Sequence, residues 1–188
     1  PEGLTKIPNN VFENCQSLES INIPEGVREI GHRSFSGCSS LVSIIIPETV
    51  TKIGENAFLN CHSLENIVLP EKLTYLGQNA FRYCRSLQEI KVPGGITQIG
   101  YTTFGECEAL KRVELEKGIT RVEYGAFRLC RNLEEIYFPA GLLQIRERAF
   151  TGCHKLASVS FPETLTRIDS NAFQACYQLT KVVLEGNA

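Results

Sequence analysis

Eight cysteines recur along this chain at a fixed spacing of 23 residues: Cys15, Cys38, Cys61, Cys84, Cys107, Cys130, Cys153 and Cys176. Units of that length fill nearly all of the sequence, and no linker or low-complexity stretch interrupts them. A fixed period in the twenties is the mark of a solenoid, in which each unit is one coil. The chain is therefore expected to be a single domain spanning residues 1–188.

Aligned on cysteine, the units need no gaps. Phe stands three residues before every Cys, from Phe12 to Phe173, and Leu three residues after it, from Leu18 to Leu179. Six after comes Ile or Val, and eight after another apolar residue. Pro usually follows, as at Pro24, Pro47, Pro70, Pro93, Pro139 and Pro162. Residues 41–46 show what the pattern spells. Ile44 and Ile46 alternate with Ser43 and Ile45, the period of a half-buried strand. The Pro beyond has no N–H to donate and ends it.

A second apolar pair, such as Val50 with Ile53 or Leu165 with Ile168, predicts a short return strand. Gly31, Gly54, Gly77 and Gly100 come next, where a tight turn is expected to need positive φ. Residues such as Ala57, Phe58 and Cys61 then predict a helical or 3₁₀ turn that points Phe and Cys inward. One unit cannot bury its own apolar face, whereas stacked units can. The expected fold has about eight coils. A parallel β-sheet lines one face, with short second strands and single helical or 3₁₀ turns elsewhere. Its hand is right, as for nearly all parallel crossovers.

The pattern C-x-x-L-x-x-I-x-I-P, V/L-T-x-I-G and A-F-x-x-C runs through essentially all 188 residues and resembles the BspA-like class of leucine-rich repeats. The resemblance implies a curved leucine-rich-repeat solenoid. Many members of that class are bacterial surface proteins that contact host or extracellular-matrix proteins, and others occur in microbial eukaryotes. It implies no catalytic residues. The chain departs from the pattern towards its C-terminus, where Glu123, Arg146 and Asp169 replace the Gly and Glu116 and Glu185 replace the Pro. Glu and Arg tolerate a left-handed backbone poorly, so the later turns are expected to differ in geometry.

Charge and chemistry narrow the function. The 19 basic and 21 acidic residues leave a net charge of −2, whereas a nucleic-acid binder needs a basic excess to displace counterions. No apolar run approaches the ~18 residues of a membrane-spanning helix, so direct membrane insertion is not expected. With no Met, not even an initiator, the sequence is expected to be a segment of a longer protein. Cysteines in single file cannot converge four ligands on one metal. Inward side chains in register point parallel rather than at one another, so each thiol is expected to be buried and free. His32, His62 and His154 are too dispersed for a shared site and are expected on the surface. The Thr51, Thr74, Thr97, Thr120 and Thr166 column suits extended backbone; the unpaired column argues against ice binding. No cofactor, metal or catalytic residue is expected, and the chain reads as no enzyme.

Outward positions of the strands vary from coil to coil. Glu89, Arg112 and Glu135 are expected to form a ladder of alternating sign, and Lys91 with Glu114 a second pair. Val42, Ile45 and Val68 should share an exposed apolar cluster of the kind that marks contact sites. Tyr137 and Arg112 are of the types favoured as binding anchors. These eight residues (Val42, Ile45, Val68, Lys91, Arg112, Glu114, Glu135 and Tyr137) form the candidate site. The expected function is non-enzymatic binding of a host, matrix or neighbouring cell-surface protein by the ectodomain of a microbial adhesin. A cytoplasmic interaction scaffold and the targeting module of a larger enzyme are the alternatives. Terminal coils without polar caps also predict end-to-end self-association.

Overall fold

The computed structural model describes residues 3–186 and contains fifteen short strands. One side of the solenoid carries β2 (Ser20–Asn22), β4 (Ser43–Ile45), β7 (Glu89–Val92), β9 (Arg112–Leu115), β11 (Glu135–Tyr137), β13 (Ser158–Phe161) and β15 (Lys181–Leu184). The return side carries two-residue strands: β1 (Lys6–Ile7), β3 (Glu29–Ile30), β5 (Lys52–Ile53), β6 (Tyr75–Leu76), β8 (Gln98–Ile99), β10 (Arg121–Val122), β12 (Gln144–Ile145) and β14 (Arg167–Ile168). All pairing is parallel, and each residue meets the one 23 positions on, as Ile90 meets Val113 and Ile30 meets Ile53.

No helix forms among the described residues, which corrects the expected helical turn. Around Phe58, alternate N–H groups are used differently. Those of Ala57, Leu59 and Cys61 close i to i−3 turns on Gly54, Asn56 and Phe58. Those of Asn56, Phe58 and Asn60 donate to Gln78, Ala80 and Arg82 of the next coil. The turns thus form a third inter-coil ladder. Aiming every second N–H along the axis requires left-handed backbone five residues and one residue before each Cys, in every coil. Asn and Gly hold just over half of these sites, and residues such as Arg33, Tyr83, Leu129 and Ala175 hold the others.

The Gly column has a different cause from the one expected. Gly31, Gly54, Gly77 and Gly100 do not adopt positive φ. At Gly54 and Gly77 a Cβ would lie 2.7 Å from His32 N and 2.4 Å from Glu55 N, on the backbone of the preceding coil. Gly is there because the coils touch. At Gly100 the approach to the preceding coil eases: a Cβ would lie 3.7 Å from Gln78 Cα, and its nearest contact, at 3.3 Å, is Thr103 Oγ1 of its own coil. Glu123, Arg146 and Asp169 follow without left-handed backbone, and an Arg146–Asp169 ion pair of 3.3 Å occupies the space.

Inward columns make one core. Phe12 to Phe173 stack in seven successive ring pairs with centroids 5.0–5.6 Å apart and planes within 16°. The six inner rings are fully buried, whereas Phe12 and Phe173 at the ends are partly covered. Beside each ring sits a free cysteine. From Cys38 onwards its Sγ donates to the carbonyl of the preceding coil's Phe at 3.1–3.3 Å. Cys therefore supplies both small apolar volume and a donor.

Burial pushes these thiols up, Cys38 and Cys176 to about 11 and Cys84, Cys107 and Cys153 well above the ordinary value. Cys15 alone is exposed. Native protein should therefore give one fast-reacting thiol and release seven more only on denaturation, because the thiolate is the reactive form. Eight fast thiols, or none after denaturation without reductant, would contradict this packing.

On the longer-strand side β11 and β13 do not pair, and at one seam the stack is interrupted on both sides. Between residues 66–78 and residues 89–101 no backbone hydrogen bond crosses. Neighbouring coils are joined there by bonds such as Thr74 N–H to Thr51 O and Gly77 N–H to Ile53 O on one side, and Thr120 N–H to Thr97 O and Glu123 N–H to Ile99 O on the other. Accordingly β6 does not pair with β8, and β7 has a strand partner only in β9. On the strand side, residue 66 makes a single bridge to Ser43.

Candidate functional site

Alternation along the strands sorts the side chains into two sets. In β7 Ile90 and Val92 are buried while Glu89 and Lys91 are exposed, and β9 repeats this with Val113 and Leu115 against Arg112 and Glu114. A period of two is what a sheet with one packed face requires. Val42, Ile45, Val68 and Tyr137 are 43%, 71%, 79% and 51% exposed. All eight candidate residues therefore project outward.

The charged part is only half the expected ladder. Arg112 donates from Nε to Glu135 Oε2 at 3.0 Å, and its Nη2 lies 2.8 Å from the same oxygen. The Tyr137 hydroxyl donates to that oxygen too, at 2.9 Å. Tyr137 and Arg112 together hold the Glu135 carboxyl below its ordinary value, and Glu135 raises both of its partners. Glu89 is opposite Arg112 in register but makes no ion pair with it.

The expected Lys91–Glu114 pair does not form. Lys91 Nζ turns instead to Glu116 at 2.5 Å and Glu71 at 3.5 Å. Glu116 also accepts the Gly94 N–H at 3.0 Å, which with Lys91 lowers its carboxyl. The long Lys side chain reaches past its cross-strand neighbour to a carboxylate already fixed by the backbone. Sequence reasoning missed Glu116 and Glu71 as members of this surface; the visible signal was Glu116 standing where other coils have Pro.

Three grooves run together across the face. A groove of about 330 Å³ is lined by Ile67, Val68, Leu69, Glu71, Glu89, Ile90, Lys91, Pro93, Arg112 and Glu114. A second shares Glu89 and Arg112 and extends to Glu135. The third joins Arg112 and Glu114 to Tyr137 and Pro139. The structure thus brings together six of the candidate residues. Val42 and Ile45 stand on the preceding coil, outside the grooves, with Ile45 one coil before Val68 in the same column.

Other columns have structural employment. The hydroxyls of Thr74, Thr120 and Thr166 donate to the carbonyls of Thr51, Thr97 and Leu143 in the preceding coil, at 3.0–3.1 Å. His32, His62 and His154 are half-buried rather than fully exposed; burial and then Arg85 lower the His62 pKa. Among the described residues no group of three or more His, Cys, Asp or Glu could hold a metal ion. No helix among the described residues is long and apolar enough to cross a membrane. At the last coil Ile168, Val182 and Leu184 are 44%, 54% and 73% exposed, so the ladder's apolar edge is uncovered there.

A family model described as BspA type leucine rich repeat region (6 copies) matches residues 5–134 and again 78–188. The leucine-rich repeat protein of T. pallidum (TpLRR) is similar at 34% identity and a TM-score of 0.78, over 83% of this chain and 74% of that one. A leucine-rich repeat protein from Eubacterium ventriosum matches at 25% identity and 0.79, over 90% of this chain and 44% of its own. One from Bacteroides ovatus matches at 25% and 0.71, over 96% and 64%. No curated protein shows significant similarity to the chain.

Proposed function

This chain belongs to the BspA-type leucine-rich repeat family, and we propose that it acts as a non-enzymatic protein-binding scaffold whose ligand lies on the strand face. Leucine-rich repeats generally mediate protein–protein binding. One observation carries the choice of face: inward columns are constant and buried, while the outward strand columns change chemistry from coil to coil on a regular frame. Recognition can vary there without cost to packing. We further propose that the chain is part of the ectodomain of a microbial cell-surface protein that contacts host or matrix proteins. Support for that step comes from the family, many of whose members are bacterial surface proteins.

The test is binding to a panel of purified extracellular-matrix proteins. Ile45→Ser combined with Val68→Ser, and separately Tyr137→Ala, should each weaken binding by ~2 kcal/mol or more where the residue is an anchor. Thermal melts should stay close to wild type, because these side chains are exposed. Retained binding in both variants, with loss on replacing Tyr101 and Tyr124 on the turn side, would move the site off the strand face.

A further inference from the structure

The groove between β7 and residues 67–69 lies over the seam, with Ile67, Val68 and Ile90 as its apolar part. Its cations are already paired: Lys91 lies between Glu116 and Glu71, and Arg112 is held by Glu135. Glu89 and Glu114 make no ion pair among the described residues, although both are exposed at its rim. The register sets Glu89 opposite Arg112 and Glu114 opposite Lys91, so the two free carboxylates are diagonal neighbours on adjacent strands. Apolar surface thus adjoins two unmatched negative charges. The adjoining grooves continue past Arg112 to Tyr137, so a ligand that follows them is extended.

We infer that this trough takes an extended segment of a protein partner in which Lys or Arg stands close to an apolar side chain. The apolar group packs on the exposed Val68, and the cation lies between Glu89 and Glu114. Complementary charge of this kind sets register and partner choice more than raw affinity. The inference rests on the strand-face reading and adds the chemistry of the partner.

The experiment selects a random linear peptide library on the immobilised chain. Wild type should enrich peptides with Lys or Arg within a few residues of an apolar side chain. Their binding should weaken as salt is raised, since exposed charge pairs are screened. Glu89→Gln with Glu114→Gln should reduce affinity for those peptides about tenfold or more while leaving the melt unchanged. Enrichment of acidic or uncharged peptides, or of none, overturns the inference. Spermidine binding as tightly as the peptides, with the same dependence on the carboxylates, would make this a cation site and also overturn it. Weakening by Val68→Ser and Tyr137→Ala but not by the charge variant would sink the inference and leave the strand-face reading standing. Binding unaffected by all of these variants would remove both.

Discussion

Phe104→Ala is expected to lower the stability of the chain by about 3–5 kcal/mol, the range for truncating a buried aromatic ring. Phe104 is fully buried and stacked on both sides, 5.6 Å from Phe81 and 5.3 Å from Phe127. Removing it leaves a void whose walls belong to three coils, and its backbone is bonded into the turn ladder, so the neighbours cannot close the gap. Phe12, partly covered and stacked on one side only, should lose much less when truncated. Coupling in a solenoid runs between nearest neighbours. A break in mid-stack should therefore broaden or split the denaturant transition, which a change at the end should not do. Equal losses for the two variants would contradict a continuous ring column.

Gly77→Ala and Gly100→Ala should act in opposite directions although both belong to one sequence column. Neither glycine has positive φ, so backbone strain is not at issue. An alanine Cβ at Gly77 would lie 2.4 Å from Glu55 N and 2.6 Å from Glu55 Cα, and backbone atoms cannot swing away. The coils must part, and overpacking of this kind costs about 1–3 kcal/mol or more. At Gly100 the nearest atoms are the Thr103 hydroxyl oxygen at 3.3 Å and Gln78 at 3.7 Å. There the loss of unfolded-chain freedom should dominate and stabilise by about 0.4–1 kcal/mol. Thermal melts of the two variants decide it. A common sign would mean that the coils are spaced evenly and that the seam is absent.

The coil, its strands and its core were legible because every inward column repeats at 23 residues, and packing permits little else there. What escaped depends on relations between coils rather than within one. The Gly column looks like a turn signal in a single unit, and only the backbone of the coil before it reveals a close approach. The left-handed sites were hidden because Arg33, Tyr83 and Leu129 share them with Asn and Gly. A helix seemed natural around Phe58 until the neighbouring coil offered its carbonyls to every second N–H. The seam has no signature in the inward columns, since Ile67 faces Ile90 and Leu69 faces Val92 as in any other pair. In the candidate site, exposure followed from alternation, whereas the partner of Lys91 depended on side-chain reach and on Gly94 fixing Glu116.

The division of labour between inward and outward columns is tested most directly by a substitution scan of residues 87–93, read for folding stability and for binding to a ligand from the matrix-protein panel. A period of two is expected over Glu89–Val92. Changes at Ile90 and Val92 should unfold the chain, while changes at Glu89 and Lys91 should leave its melt intact and alter binding. Stability losses at Glu89 and Lys91 as large as those at Ile90 and Val92, or binding indifferent to every outward substitution in a folded chain, would contradict it.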